Sequence, residues 1–241
     1  MTRSIEGKVA VVTGAGRGIG RAICDALSEA GATVVAVART AEQIEATARD
    51  ITGRGGTAVA IRADVADQSE VSRLFEQVHA RCGRLDILVN NAGQGRYGPV
   101  EEFSAADFDQ VVAVNLRGVF LCCQQAIRLM IPQQHGYIIN ISSVVGFKGY
   151  PNQSAYSAAK HGVMGLTKSL AVEVQKHGIR VSAVLPGGVD TDMVRAARPD
   201  LDRSVLLQPS DVAQTVLYLL SLSDRASVDQ IYIRRRGSQP F

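Results

Sequence analysis

The sequence predicts a doubly wound α/β fold, in which a parallel sheet of about seven strands carries helices on both faces. Short apolar runs rich in β-branched residues alternate with segments of helical periodicity along the chain. These runs are continuously apolar, which is typical of strands buried on both faces of a parallel sheet. No linker, repeat or low-complexity segment interrupts the 241 residues, so we expect one domain over residues 1–241.

The first half of the chain is predicted to contain four strands and the three helices between them. Ile23, Leu27 and Ala30 recur at helical spacing, and Gly31 ends that helix. The strands are predicted at 8–13, 33–37, 58–61 and 86–89, and the helices at 21–30, 41–52 and 67–81.

The second half is predicted to begin with a long helix over 105–130, broken near Asn115. The segment 186–209 has no clear periodicity, and loops of that length in compact domains are usually functional or mobile. We therefore expect about 188–209 to form a substrate lid. The remaining strands are predicted at 137–141, 180–185 and 230–233, and the remaining helices at 155–175 and 211–222.

The composition excludes several classes of protein. Apolar residues make up 46% and charged residues 20% of the chain, as in globular proteins. No apolar run reaches the length of a membrane span, and no secretory signal is evident at the start. The net charge of +3 is small for a nucleic-acid-binding protein. The four cysteines form no CxxC pair, so we expect neither a metal site nor disulfides, and a cytoplasmic location.

A glycine-rich loop follows the first predicted strand. Carboxyl ends of parallel strands meet at one edge of the sheet, where ligands bind. Glycines permit positive φ and close approach of a pyrophosphate, and the following helix N-terminus offers it free N–H groups. The spacing is GxxxGxG, with Ile19 where the common GxGxxG fingerprint has its third glycine, and a tight turn without a ligand is the alternative. The candidate cofactor-binding residues of this loop are Gly14, Gly16, Arg17, Gly18, Ile19 and Gly20.

Two arginines indicate which nicotinamide cofactor is preferred. A carboxylate about 20 residues beyond the glycines would bind the ribose 2′-hydroxyl of NAD, whereas an arginine suits the 2′-phosphate of NADP. Arg39 lies 19 residues beyond Gly20, no carboxylate occurs beside it, and Arg17 is a second cation within reach. We expect NADPH to be preferred, with NAD as the alternative, because such cations form charge-assisted bonds with a phosphate.

Tyr156 and Lys160 are four residues apart in a predicted helix and therefore share a face. An ammonium about 4 Å away supplies about 4 kcal/mol at an effective dielectric near 20, enough to bring a tyrosine pKa from about 10 to near 7. Such a tyrosine can act as an acid/base in hydride transfer, with Ser143 holding the substrate oxygen. The alternative is a core tyrosine beside a solvated lysine.

TGAGRGIG at 13–20, NNAG at 90–93, Asn115, Ser143, YxxxK and PGGVDT, in this order, resemble the short-chain dehydrogenase/reductase family over about residues 5–223. The resemblance implies a Rossmann-type domain in which Tyr156 is the acid/base and Lys160 lowers its pKa and binds the nicotinamide ribose. It implies that Ser143 holds the substrate oxygen, with Ser142 as the alternative. It also implies that Asn115 kinks a helix and holds a water for proton relay.

The same resemblance implies the rest of the cofactor site and the assembly. Asp64 and Val65 would flank the adenine, and Asn91, Ala92 and Gly93 would line the cofactor. Pro186, Gly187, Val189 and Thr191 would hold the nicotinamide carboxamide. Arg17 and Arg39 resemble the pattern of NADP(H)-preferring members. A homotetramer or homodimer, built on the helices near 105–130 and 155–176, is implied.

The substrate is expected to be a small-molecule carbonyl or alcohol. Most residues expected around it are apolar or small, namely 94–97, Val144, Val145, Phe147, Tyr150, Gln153, Gly188 and 193–207. The leading hypothesis is an NADPH-dependent carbonyl reductase, which is compatible with a 3-oxoacyl thioester. The alternatives are an NAD-dependent alcohol dehydrogenase and a non-catalytic nucleotide-sensing protein. Four arginines near the mouth would attract an acidic carrier or lie solvated on a mobile loop: Arg96, Arg195, Arg198 and Arg203.

The C-terminal sequence departs from the family. Many members have a Gly-Gly turn after the last strand, whereas this chain reads DQIYIRRRGSQPF at 229–241. This puts the usual C-terminal subunit contacts in doubt and leaves the active-site prediction unchanged. The run 234–236 is short and lacks aromatic partners, so we expect a solvated or subunit-facing tail, with no nucleic acid and no membrane among the partners.

Overall fold

A computed structural model describes residues 5–197 and 201–240 of the chain. Seven parallel strands form one sheet in the order β3-β2-β1-β4-β5-β6-β7. The strands are β1 Val9–Thr13, β2 Thr33–Ala38, β3 Thr57–Arg62, β4 Ile87–Asn90, β5 Gly136–Ile141, β6 Ile179–Pro186 and β7 Gln230–Ile233. The predicted doubly wound, Rossmann-type sheet is therefore confirmed, including the short seventh strand.

Helices connect successive strands and cover both faces of the sheet. They are α1 Gly18–Glu29, α2 Ala41–Gly53, α3 Gln68–Cys82, α4 Ala105–Val112, α5 Gly118–Gln133, α6 Ser154–Val174, α7 Asp192–Ala197 and α8 Pro209–Ser221. Within the described ranges, no helix has both the length and the apolar character needed to cross a bilayer.

Alternate residues of each central strand pack on opposite faces. On β1, Val9 and Val11 face the core formed with α3, α5 and α6, whereas Ala10 and Val12 face the core formed with α1, α2 and α8. Both faces are therefore dry, which explains the continuously apolar strands seen in the sequence. All five residues of β1 are buried.

The strand order reverses at β1, which pairs with β2 on one side and β4 on the other. Ala10 lies opposite Val34 in one direction and opposite Ile87 in the other. The chain continues from β1 into α1 on one face of the sheet and from β4 toward α5 on the other face. The loops after β1 and β4 therefore separate at the carboxyl ends of these two strands. This switch point is where ligands of open α/β sheets bind.

The structure refines two sequence predictions. The helix predicted over 105–130 divides into α4 and α5, joined by a π-helical turn at Ala113–Arg117 that contains Asn115. The segment 186–209 is also partly ordered, because it contains α7, a 3₁₀ turn at Arg203–Val205 and a bridge between Val189 and Leu207.

Candidate active site

A crevice of about 870 Å³ opens along the carboxyl ends of the strands. Most of the residues predicted to bind cofactor or substrate line this crevice. The separate sequence motifs therefore meet in one place in the fold. The predicted site residues on its wall are Gly14, Gly16, Arg17, Gly18, Ile19, Arg39, Asp64, Val65, Asn91, Ala92, Gly93, Ser143, Tyr156, Lys160, Pro186, Gly187, Val189 and Thr191. Gly20 and Asn115 lie behind this wall.

The glycine loop is shaped by close contact with the loop after β4. Gly14 has φ +67°, and a Cβ there would lie 2.9 Å from Cα of Ala92. The hydroxyl of Thr13 accepts hydrogen bonds from the backbone N–H groups of Asn91 and Ala92, each at 3.0 Å. The Asn91 amide in turn donates to the carbonyl oxygens of Thr13 and Gly14. These contacts fix the loop against the strand edge.

Gly20 supports the loop from behind. A Cβ at Gly20 would lie 2.2 Å from the carbonyl oxygen of Gly14 and 2.5 Å from Nδ2 of Asn91. Helix α1 begins at Gly18, three residues before the predicted start at 21. Its first turn therefore projects N–H groups from within the glycine motif, as a pyrophosphate requires. The residues present fit a dinucleotide, because a side chain at Gly14 or Gly20 would displace the loop that receives the pyrophosphate.

Each of the two arginines predicted to bind a 2′-phosphate already has a carboxylate neighbour. Nη1 of Arg17 lies 2.8 Å from Asp192, and Nη1 of Arg39 lies 3.9 Å from Asp64. Exposed ion pairs of this kind contribute little free energy, so each guanidinium can exchange its carboxylate for a phosphate at small cost. Arg17 lies within the glycine loop, Arg39 follows β2, and both line the crevice.

Ser143 is the serine that faces Tyr156. The Ser143 side chain lies close enough to the Tyr156 side chain to lower its pKa, and the Ser143 hydroxyl accepts from the N–H of Val145 at 3.3 Å. Ser142, the alternative left open by the sequence, is buried and donates to the carbonyl oxygen of Lys160. The alternation of side chains at the end of β5 therefore separates a serine in the crevice from one behind it.

Lys160 is buried beneath Tyr156. Its Nζ donates to the carbonyl oxygen of Ile141 at 2.9 Å and lies 5.7 Å from the centroid of the Tyr156 ring. Burial lowers the pKa of Lys160 to about 8. The alternative of a solvated lysine is therefore wrong, since only 3% of Lys160 is exposed.

The predicted lowering of the Tyr156 pKa is not found. Desolvation raises the pKa of Tyr156 above its ordinary value, Tyr97 raises it further, and the hydrogen bond with Ser143 lowers it only in part. The physical reason is that the dry surroundings that bring Lys160 and Tyr156 together also disfavour a phenolate. The phenol of this structure is protonated at neutral pH.

Lys160 is expected to make the stability of the ligand-free protein depend on pH. Because its folded-state pKa of about 8 lies below the unfolded value, the unfolded chain holds the extra proton between these two values. We expect the free energy of unfolding to rise by about 2 kcal/mol between pH 7 and 9.5, relative to Lys160→Met. Urea unfolding of both proteins at each pH measures the difference. Equal pH dependence in the two proteins would show that Lys160 is not desolvated.

Asn115 occupies the π-helical turn between α4 and α5. Its fully buried amide donates to the carbonyl oxygens of Gln94, at 2.8 Å, and Val111, at 2.9 Å, and its Oδ1 accepts from the N–H of Gln94. A Cβ at Gly93 would lie 2.9 Å from Oδ1 of Asn115. Asn115 therefore fixes the loop after β4 from behind the crevice.

A buried polar chain behind the site was missed in the sequence. Asn90 donates to Asn140 at 2.9 Å, and Asn140 donates to Thr167 at 2.9 Å, which links β4, β5 and α6. The hydroxyl of Thr167 donates to the carbonyl oxygen of Val163. The available signal was an asparagine inside each of two apolar strand runs, LVN and YIINI. A buried amide requires hydrogen-bond partners, and Asn90 and Asn140 are partners of each other.

The substrate end of the crevice contains most of the predicted apolar and small residues. Its walls include Tyr97, Val144, Val145, Tyr150, Gln153, Gly188, Met193 and Leu201. Phe147 is a correction, because it packs edge-to-face on Tyr232, with ring centroids 5.3 Å apart, and does not line the crevice.

The arginines predicted to attract an acidic carrier are ion-paired instead. Arg96 pairs with Asp107 at 2.7 Å. Arg195 and Arg203 both pair with Asp190, at 3.1 and 2.9 Å. Arg198 lies outside the described residues. Each of the three described arginines is therefore already in contact with a carboxylate.

The sequence matches the family described as short chain dehydrogenase over residues 8–202. The chain belongs to this family. The 3-oxoacyl-[acyl-carrier-protein] reductase FabG of Staphylococcus aureus is 44% identical over 223 residues, covering 89% of this chain and 91% of the relative. Levodione reductase of Leifsonia aquatica is 40% identical, covering 99% of this chain and 96% of the relative.

A solved structure supports the same assignment. A metagenomic short-chain oxidoreductase in complex with NADP superposes with a TM-score of 0.86 at 36% identity, covering 98% of this chain and 100% of that one. This member of the short-chain family is an oxidoreductase that uses a nicotinamide cofactor.

Proposed function

We propose that the protein is an NADPH-dependent carbonyl reductase. The observation that supports this most directly is that Ser143, Tyr156 and Lys160 line one crevice that continues to the glycine loop. The names of the similar proteins, a 3-oxoacyl reductase, a levodione reductase and an NADP complex, agree with this class. A panel of ketones, followed by the loss of NADPH absorbance, tests it, and absence of turnover across the panel would contradict it.

When bound, the nicotinamide supplies the hydride. The chain's own residues supply the proton and the orientation. The Tyr156 hydroxyl donates its proton to the oxygen of the carbonyl as negative charge develops there, and the Ser143 hydroxyl holds the same oxygen by a hydrogen bond. We propose that Lys160 binds the nicotinamide ribose and that Asn115 fixes the loop of residues 92–94. The role of Asn115 in holding a relay water stays a prediction.

Two alternative functions rank below the reductase. An NAD-dependent alcohol dehydrogenase would use the same proton transfer in reverse, with Tyr156 accepting the proton. The reductase ranks above it because the named relatives are reductases and the similar structure is an NADP complex. Ser143, Tyr156 and Lys160 in one crevice rank both above a non-catalytic nucleotide-sensing protein.

The cofactor preference is proposed to depend on Arg39. We expect Arg39→Asp to raise the KM for NADPH about tenfold or more and to leave the KM for NADH unchanged or lower, because one charge-assisted bond to the 2′-phosphate is replaced by repulsion. Initial rates with both cofactors measure this. Arg49→Asp is the matched control, since Arg49 is an exposed arginine of α2 that pairs with Glu45 and lies off the crevice wall. Equal changes for both cofactors would contradict the role of Arg39.

The proposed substrate is an activated ketone on an aliphatic body, and a 3-oxoacyl thioester belongs to this class. Residues 188–209 are proposed to act as the substrate lid within one domain over 1–241. Asp190 supports this, because it holds Arg195 and Arg203 together on the segment that carries Met193 and Leu201. A proteolysis time course with and without NADPH tests whether this segment becomes protected.

We propose a homotetramer or homodimer built on α5 and α6. Phe120 on α5 is 43% exposed and Val172 on α6 is 76% exposed, so each of these helices presents a large apolar side chain that a second subunit would cover. Sedimentation equilibrium measures the assembly. A cytoplasmic location is also proposed, because the four cysteines are free thiols, as expected in a reducing compartment.

A further inference from the structure

The three consecutive arginines after β7 have three different environments. The guanidinium of Arg234 donates to the carbonyl oxygens of Arg235, Arg236 and Ser238, so it stabilises the turn of the C-terminal segment 234–240. Arg236 is exposed. Arg235 is half-buried and lines the crevice. Arg235 is therefore less solvated than the expectation of a solvated tail implies.

The C-terminal segment is held against the substrate end of the crevice. The N–H of Gly187 donates to the carbonyl oxygen of Ile233 at 2.8 Å, which brings the residues after β6 and β7 side by side. A Cβ at Gly188 would lie 3.8 Å from Cδ and 3.9 Å from Nε of Arg235. Tyr232 packs on Phe147, in the loop that follows Ser143. Arg235 therefore extends over Gly188. Arg235 follows β7 and Ser143 follows β5, and β6 lies between these two strands.

Arg235 differs in charge environment from the other arginines of the crevice wall. Arg17, Arg21, Arg39 and Arg195 each form an ion pair with an aspartate. Within residues 5–197 and 201–240, no carboxylate pairs with Arg235, and its guanidinium has no hydrogen-bond partner there. The aspartates of the wall are each already paired with other arginines, so the positive charge of Arg235 has no carboxylate partner among the described residues.

We propose that Arg235 is a specificity-determining residue that binds a carboxylate on the carbonyl substrate, so that the favoured substrates are oxo acids. Neighbouring strands lie about 4.8 Å apart, so two strands separate Ser143 and Arg235 by roughly 10 Å at the backbone. The long arginine side chain spans part of that distance, and a short aliphatic chain between ketone and carboxylate spans the rest. The planar guanidinium matches a carboxylate through two parallel hydrogen bonds.

This inference rests on the proposed carbonyl reductase activity. Its test compares linear methyl-ketone acids, from levulinate to its homologue with three more methylenes, with their methyl esters. Each ester keeps the carbonyl and the chain but lacks the charge. For wild type, we expect the preferred acid to have a lower KM than its ester. We expect Arg235→Ala to raise the KM of that acid about tenfold to hundredfold. The KM of the ester and the kcat for both substrates should change little.

Two further variants keep the test specific. Arg235→Lys retains the charge without the two-pronged geometry, so its KM for the acid should lie between those of wild type and Arg235→Ala. Arg236→Ala removes the exposed neighbouring arginine and should leave every KM unchanged. Equal effects of Arg235→Ala on acid and ester, no acid preference in wild type, or a rise only in the KM for NADPH would each overturn the proposal.

The failure of this inference is distinguishable from failure of the proposed function. Turnover of the esters without acid preference contradicts only the role of Arg235. If no ketone is reduced, the reductase proposal fails, and calorimetric titration of levulinate into wild type and Arg235→Ala still decides whether the carboxylate binds. Equal heats for the two proteins would then overturn the assignment of Arg235.

Discussion

Replacing Tyr156 by phenylalanine should reduce kcat for ketone reduction by at least about 100-fold, the low end for loss of an acid/base. The ring keeps its edge-to-face contact with Tyr97, where the centroids lie 5.9 Å apart, so the packing of the site should be retained. Only the hydroxyl that is proposed to donate the proton is removed. We therefore expect the loss to lie in kcat, with the dissociation constant of NADPH nearly unchanged.

Tyr218→Phe is the matched control for this experiment. Tyr218 is an exposed tyrosine of α8 that does not line the crevice, so removal of its hydroxyl should leave the rate unchanged. Stopped-flow single-turnover measurements separate the chemical step from cofactor release. Full activity of Tyr156→Phe would refute the assignment of the proton donor and with it the proposed mechanism.

Adding one methyl group at Gly20 should destabilise the protein by about 3 kcal/mol, at the upper end of the usual cost of overpacking. The new Cβ would lie 2.2 Å from the carbonyl oxygen of Gly14, and the neighbouring backbone must move to accept it. This movement disturbs the bonds from Asn91 to Thr13 and Gly14 that hold the loop. Gly20→Ala is also expected to weaken NADPH binding, because the loop that cradles the phosphates shifts.

Gly53→Ala provides the matched control in another helix. Gly53 is the last residue of α2, and nothing lies within 4 Å of a Cβ built there. Alanine favours the helix by about 0.5–1 kcal/mol over glycine, so this variant should be as stable as wild type or slightly more stable. Urea unfolding measures both variants, and cofactor titration compares their NADPH affinity. A Gly20→Ala protein as stable as Gly53→Ala would show that the contact with Gly14 is not tight.

Local sequence patterns predicted the helices and strands well, because the formation of a helix or strand depends largely on residues that are close in sequence. The alternation of apolar runs with helical periodicity placed all seven strands, and the break near Asn115 was expected before the π-helical turn was seen. The start of α1 was predicted three residues late, since the glycines that begin the helix have no apolar periodicity of their own.

The site was predicted as a set of residues but not as an electrostatic environment. Motif order brought Ser143, Tyr156 and Lys160 together, and the crevice contains all three. The pKa of Tyr156 was expected to fall and is raised instead. Sequence spacing accounts for the attraction of the ammonium but not for desolvation, and the same burial raises the pKa of Tyr156 and lowers that of Lys160.

The order of strands and helices, the glycine loop and the family follow from the sequence alone, because periodicity, glycine positions and motif order are local properties of the chain. Which side chains meet across the sheet follows only from the three-dimensional fold. Arg17 and Asp192 are 175 residues apart and form an ion pair, and the C-terminal Arg235 reaches over Gly188. The reason is that such contacts follow from the parallel sheet, which brings distant strand ends to one edge, while no local pattern records them.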